Sequence, residues 1–168
     1  MTDIPISQAE AEEKLWEALE DTRTGMLGIV GGEPQHFQPM TGFEDREGGA
    51  LWFFTRDDTD LARDVEAGGA EAMYTLVTKK TDLYACLGGR LSVVHDRRIV
   101  DRFWNPVVAA WYPDGKDDPH LRLIRFDLAD ARVWINDKGP VKFFYEVAKA
   151  NLTKTLPDPG DRADVHFQ

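Results

Sequence analysis

Hydrophobic positions along this chain change their period several times, and each change predicts an element. Ala11, Leu15, Ala18 and Leu19 recur at helical spacing, with Glu12, Glu13, Glu17 and Glu20 on the opposite side. Ser7 and Glu10 stand before that stripe at capping-box spacing, where each side chain takes up a backbone N–H that the first turn leaves free. Ile6 is placed to staple onto Ala11, and a helix is predicted over 7–21. From residue 24 the period shortens. Apolar runs at 26–30, 37–43, 51–55, 72–78 and 83–94 are rich in aromatic and β-branched residues, and Gly31-Gly32, Gly48-Gly49 and Gly88-Gly89 punctuate them as turns and bulges require. A short helix near 58–67 interrupts these strands. Asp57 or Asp58 would cap it, Leu61, Ala62 and Val65 would face inward, and Gly68-Gly69 would stop it.

The second half mixes the two periods. Ile99, Phe103, Val107 and Trp111 form one stripe, predicting a helix over 96–112 that Pro106 kinks near Phe103. A hairpin is expected from 121–126 and 132–135, turning through Asp127 to Asp130. Val141, Phe144, Tyr145, Ala148 and Leu152 predict a last helix over 139–153. The tail, 154–168, reads as loose, with Val165 and Phe167 able to dock an end strand. Strands of this length and spacing predict a single domain over 1–168, an antiparallel barrel or sandwich at 24–136 with peripheral helices.

Composition narrows the function. The 168 residues are 42% hydrophobic, the level of a packed globular domain, which excludes disorder of the whole chain. A net charge of −10 makes nucleic acid and anionic membranes poor partners, so neither is expected. The longest unbroken apolar run, 107–112, is far below the ~18 residues of a membrane span. The first thirteen residues hold acids and no base, unlike a secretory leader, and a cytoplasmic location is expected. Cys86 is alone, which excludes an internal disulfide and a multi-thiolate zinc site; its apolar strand reads it as a small core residue. His36, His95, His120 and His166 form no ligand pair, so no metal is predicted. Phosphate-loop, nucleophile-elbow and zinc-protease motifs are all missing, and no catalytic side chain is assigned.

The aromatic load stands out: Trp52, Phe53, Phe54, Trp104, Trp111, Tyr112 and Trp134. Such residues pack cores and subunit interfaces, or they form a slot over a flat ring. Four segments bear on the choice. They are Gln38-Pro39-Met40-Thr41; Leu51-Trp52-Phe53-Phe54-Thr55-Arg56-Asp57-Asp58-Thr59-Asp60; Gly88-Gly89-Arg90-Leu91 with His95-Asp96-Arg97; and Phe103-Trp104-Asn105-Pro106 followed by Trp111-Tyr112-Pro113-Asp114-Gly115-Lys116-Asp117-Asp118-Pro119. In this order and spacing the chain resembles the pyridoxamine 5'-phosphate oxidase-like FMN-binding split-barrel proteins, in their general stress protein branch, over about residues 10–151.

The resemblance implies a six-stranded antiparallel split β-barrel with peripheral helices, working as a homodimer with FMN in a cleft at the subunit interface. It implies that Gln38, Pro39, Met40 and Thr41 run along the ring. It also implies that Phe54, Thr55, Arg56, Thr59 and Asp60 hold the phosphate at a helix start; Trp104 or Trp111 is expected to come near the cleft. The implied function is that of an FMN-dependent oxidoreductase whose redox chemistry sits on the cofactor. The alternatives are a non-catalytic dimer that stores or senses a flavin or another planar anion, and a split barrel that has lost its ligand. Two positions depart from the pattern. Gln38 stands where relatives commonly carry arginine, and Leu61 where they commonly carry lysine. Arg56, Arg63, Thr55 and Thr59 then remain as local donors, Asp57, Asp58 and Asp60 oppose them, and Leu61→Lys is expected to tighten FMN binding.

Overall fold

A computed structural model describes residues 5–31, 35–136, 139–156, 158 and 160–168. Helix α1 (Gln8–Asp21) carries the capping box, with Ser7 and Glu10 each taking the other's backbone N–H, and it buries Leu15, Trp16 and Leu19. The strands follow as β1 (Thr24–Ile29), β2 (Gln38–Thr41), β3 (Phe43–Asp45), β4 (Ala50–Arg56), β5 (Ala70–Val77), β6 (Leu83–Val94), β7 (Leu121–Ile135) and β8 (Asp161–His166). Helix α2 (Asp60–Glu66) lies between β4 and β5, α3 (Arg97–Phe103) and α4 (Pro106–Ala109) between β6 and β7, and α5 (Gly139–Thr153) between β7 and β8.

Every pairing is antiparallel, in the order β2-β1-β5-β6-β7-β4-β3, with β8 added to β7. The two ends of that path, β2 and β3, are separated in the chain by Gly42 alone. The sheet therefore curls back on itself at Gly42, and the result is a split barrel with flanking helices. The strand count differs from the six expected. Eight segments form, because the run 37–43 breaks into β2 and β3 at Gly42 and the tail supplies β8.

Strand β7 replaces the expected hairpin. Its first half pairs β4 (Arg56↔Leu121 to Ala50↔Asp127), its second half pairs β8, and β6 lies along its other edge from Leu123 to Ile135. Asp127 and Asp130 look like turn residues, but they are outward-facing positions of one strand with a bulge between them. Gly89 stands opposite that bulge, and a Cβ there would run into the Asp127 carbonyl oxygen. Three smaller expectations are also corrected. The helix at 96–112 is two helices, because Asn105 accepts from the Val107 and Val108 N–H groups and restarts the chain at Pro106. Its inward residues are Val100, Val108 and Tyr112, while Val107 and Trp111 face out. Thr59, not Asp57 or Asp58, caps α2. Cys86 sits on the outward face of β6, between the inward Ala85 and Leu87, with its Sγ 3.7 Å from the Met73 Sδ.

The core has two parts. One lies inside the barrel around Leu27, Leu51, Phe53, Leu87 and Phe126, roofed by α1; Val165 of β8 joins it, and Phe167 packs on Trp16. The other lies between β3, β4 and the α3–α4 segment, around Phe43, Trp52 and Tyr112. Asp45 borders this second part and is 7% exposed. Burial pushes its carboxyl up, but the Trp52 Nε1–H at 3.1 Å, the Gly48 N–H at 3.2 Å and Arg102 at 3.3 Å outweigh burial and hold it below the usual range. A carboxyl depressed in the folded state stabilises at neutral pH and loses that contribution as pH falls through its folded-state value. We expect Asp45→Ala to cost about 1–3 kcal/mol at pH 7. The difference from wild type should shrink near pH 3, as measured by urea unfolding at both values. A difference independent of pH would count against the carboxylate.

Candidate functional site

The site follows from where the barrel fails to close. Strand β3 pairs β4 only as far as Phe43↔Trp52. Past Gly42 the chain turns away as β2 and pairs only β1. Among the described residues no strand lies on the free edge of β2 or on the facing edge of β4 beyond Trp52. That gap is the split. The segment restarted by Asn105 forms its third wall, and a cleft of about 780 Å³ results.

Nine of the ten site residues expected from the sequence meet there: Gln38, Pro39, Met40 and Thr41 on one side; Phe54, Thr55, Arg56 and Thr59 on the other; and Trp111 at the rim, 67% exposed. Asp60 does not. It points to solvent and pairs with Arg63. Trp104 packs edge-on against Phe54 at 6.3 Å and beside Tyr112 at 6.1 Å, behind the wall rather than in it. The sequence reading missed Arg23, Phe43, Asn105, Pro106, Val107, Val108 and Tyr112. The Trp-Asn-Pro segment was a signal for the third wall; nothing in the sequence marks Arg23, which follows α1 and reaches the cleft through the Gly42 turn.

The polar groups divide unevenly. The Thr59 hydroxyl donates its one proton to the Arg56 carbonyl at 2.9 Å and accepts from the Ala62 N–H at 3.1 Å. The Thr55 hydroxyl, 3.1 Å away, must then donate to Thr59. Neither threonine has a proton left for a ligand. Helix α2 is seven residues long, and its cap at Thr59 takes the Ala62 N–H. Charge comes instead from two arginines. Arg56 donates to the Trp111 carbonyl at 3.4 Å and faces Asp58 at 3.4 Å. Arg23 lies over the Phe43 ring, 5.9 Å from its centroid. Burial pushes the Tyr112 phenol up to about 12, so it stays protonated at physiological pH.

The acids expected to oppose an anion are mostly engaged. Asp57 accepts from the His120 ring at 2.9 Å and faces Arg122 at 3.6 Å; the His120 contact is the main reason its carboxyl is held low. Arg63 is tied to Asp60 and the Asp58 carbonyl and does not line the cleft. Leu61 is the clearest correction. It is 2% exposed and packed in the barrel core, so it does not face the cleft. Among the described residues no group of three or more His, Cys, Asp or Glu side chains gathers as a metal site. No helix among them is long and apolar enough to cross a membrane.

This geometry, a barrel split at a kinked strand with a cleft walled by β2, β4 and the Asn105 segment, lies within residues 10–158, which match the family described as pyridoxamine 5'-phosphate oxidase like. The chain belongs to that family. Among its relatives, General stress protein 26 of Bacillus subtilis (strain 168) is 25% identical over 141 residues, 81% of this chain and 97% of that protein. The crystal structure of a candidate general stress protein 26 from Jannaschia sp. CCS1 is 40% identical, with a TM-score of 0.78 over 95% of this chain and 99% of that one. The general stress FMN/FAD binding protein from the phytopathogen Xanthomonas citri is 42% identical, with a TM-score of 0.71 over 79% of this chain and 93% of that one. Family membership thus covers both walls of the cleft and the segment that closes it.

Proposed function

We propose that the cleft binds FMN and that the protein is a flavin-dependent oxidoreductase working as a homodimer. The observation that carries this reading is the union, in one split, of an apolar slot, a free strand edge and an arginine. Met40, Phe54, Val108 and Trp111 offer flat or flexible apolar surface to a ring. The unpaired edge of β2 offers backbone donors and acceptors to the polar side of that ring, and Arg56 offers charge to a phosphate. The volume suits such a ligand, since small-molecule sites span ~300–1,000 Å³. Relatives named as flavin-binding add weight.

Bound FMN would supply the hydride or electron chemistry. The chain's own residues would position it. Arg56 fixes the phosphate end, the β2 backbone fixes the ring edge, and Tyr112 holds a phenolic proton at the wall. Among the described lining residues of one chain there is no His, Asp, Glu, Lys or Cys, so these side chains include no ordinary general base. That favours reactions carried wholly by the cofactor. It also favours a second reading, a flavin store without turnover.

A homodimer fits the outward sheet face. Val77, Tyr84 and Trp134 stand in one register row, with Met26 and Met73 on the same face, each about 40% exposed or more. Contiguous apolar surface of this kind marks an interaction site.

Titration of the purified protein with FMN, followed by anaerobic NAD(P)H and then air, tests the reading. A flavin band that bleaches and returns supports the oxidoreductase. A bound band inert to reductant supports the store. No binding at high micromolar FMN overturns both.

A further inference from the structure

Helix α5 has no buried residue, and Val141, Phe144, Tyr145 and Leu152 on its apolar side are 63–84% exposed. A 15-residue helix is marginal in water without something to pack on. Its own cleft is out of reach. Ile135, where β7 ends, pairs with Asp161, where β8 begins, so the segment carrying α5 leaves and returns at one point of the barrel. The cleft lies at the opposite end of β7, where Leu121 pairs Arg56. About 45 Å of strand separates the two ends, and α5 spans about 22 Å.

We propose that α5 packs across the cleft rim of a second copy, against Val107 and Trp111, so that each cleft of a two-fold dimer is completed by the other chain's helix. This rests on the homodimer and cleft readings above. A two-fold axis perpendicular to β7 exchanges its ends and brings each α5 to the partner's cleft, as an isologous contact requires. The apolar surfaces match: Val107 and Trp111 are 73% and 67% exposed and stand beside a cleft whose remaining wall is open. All six side chains are more than 60% exposed, and a standard interface buries ~800 Å² per partner. The Tyr84 and Trp134 face is there to supply the rest.

Cross-linking tests this directly. In a Cys86→Ser background, full-length Phe144→Cys and Val107→Cys chains are mixed, allowed to exchange and treated with a short bis-maleimide. The expected product is a two-chain species joining the two variants. A dimer by sedimentation that yields no such product overturns the placement of α5 and leaves the homodimer and flavin readings standing. A monomer at micromolar concentration overturns the homodimer and this inference together. Because the product forms without flavin, a failure of FMN binding is read separately. As a second measurement, Phe144→Glu with Leu152→Glu should weaken the dimer about tenfold or more. Cooperative urea unfolding should persist, since neither side chain is in the chain's own core. An unchanged dimer constant overturns the proposal, as does α5-dependent pelleting of the free monomer with phosphatidylglycerol vesicles.

Discussion

Arg56→Ala should weaken FMN binding about ten- to a hundredfold and leave riboflavin within about twofold. A hydrogen bond to a charged group contributes about 1.5–3 kcal/mol, and each 1.4 kcal/mol is about a factor of ten. Arg56 lines the cleft together with Gln38; its ion pair at 3.4 Å is with the largely exposed Asp58, and Asp57 and Asp118 also feel its charge. Arg63 carries the same charge only a few residues on, but Asp60 holds it outside the cleft, so Arg63→Ala should do nothing measurable. Fluorescence titration of both ligands at low and high salt separates the roles. If riboflavin loses as much as FMN, then Arg56 acts through its bond to the Trp111 carbonyl, as a builder of the wall, and the phosphate sits elsewhere.

Leu61→Lys should destabilise the fold by about 2–5 kcal/mol, the range for losing a buried leucine, and should not tighten FMN. The side chain at 61 is packed among the barrel's buried residues, so a lysine there leaves water or distorts α2. Burial disfavours the charged form and lowers the amine's pKa. The unfolded chain then binds more protons than the folded one, and the penalty eases as pH rises toward 10. Urea unfolding at pH 7 and pH 10 measures both effects. Tighter FMN with unchanged stability would mean that residue 61 turns to the cleft.

The Leu61 case shows how local pattern and three-dimensional outcome part company. The capping box of Ser7 and Glu10, the strands around 26, 51, 72 and 83 and both main walls of the cleft were legible, because short-range chemistry and motif order specify them. What depended on register was not legible. Asp127 and Asp130 carry the signature of a turn, and only pairing with β6 on one edge and with β4 and β8 on the other makes them positions in a continuous strand. Asp57 and Asp58 are better caps than Thr59 by propensity, yet Asp57 is drawn to His120 across 63 residues of chain. Arg23 enters the site because a glycine after β2 folds the chain back over α1's exit, which no spacing rule encodes.

Strand β7 also has a consequence for how the protein is made. It pairs β4 along its whole length, and Ala50 meets Asp127 only after the chain between them exists. During synthesis the first 120 residues therefore present two hydrogen-bonding edges, those of β4 and β6, with their common partner still inside the ribosome. Unpaired edges of that kind invite pairing with other chains, and long-range closure of this sort is slow. The nascent half-barrel is the aggregation-exposed species in this protein's life, and release of β7 ends that exposure.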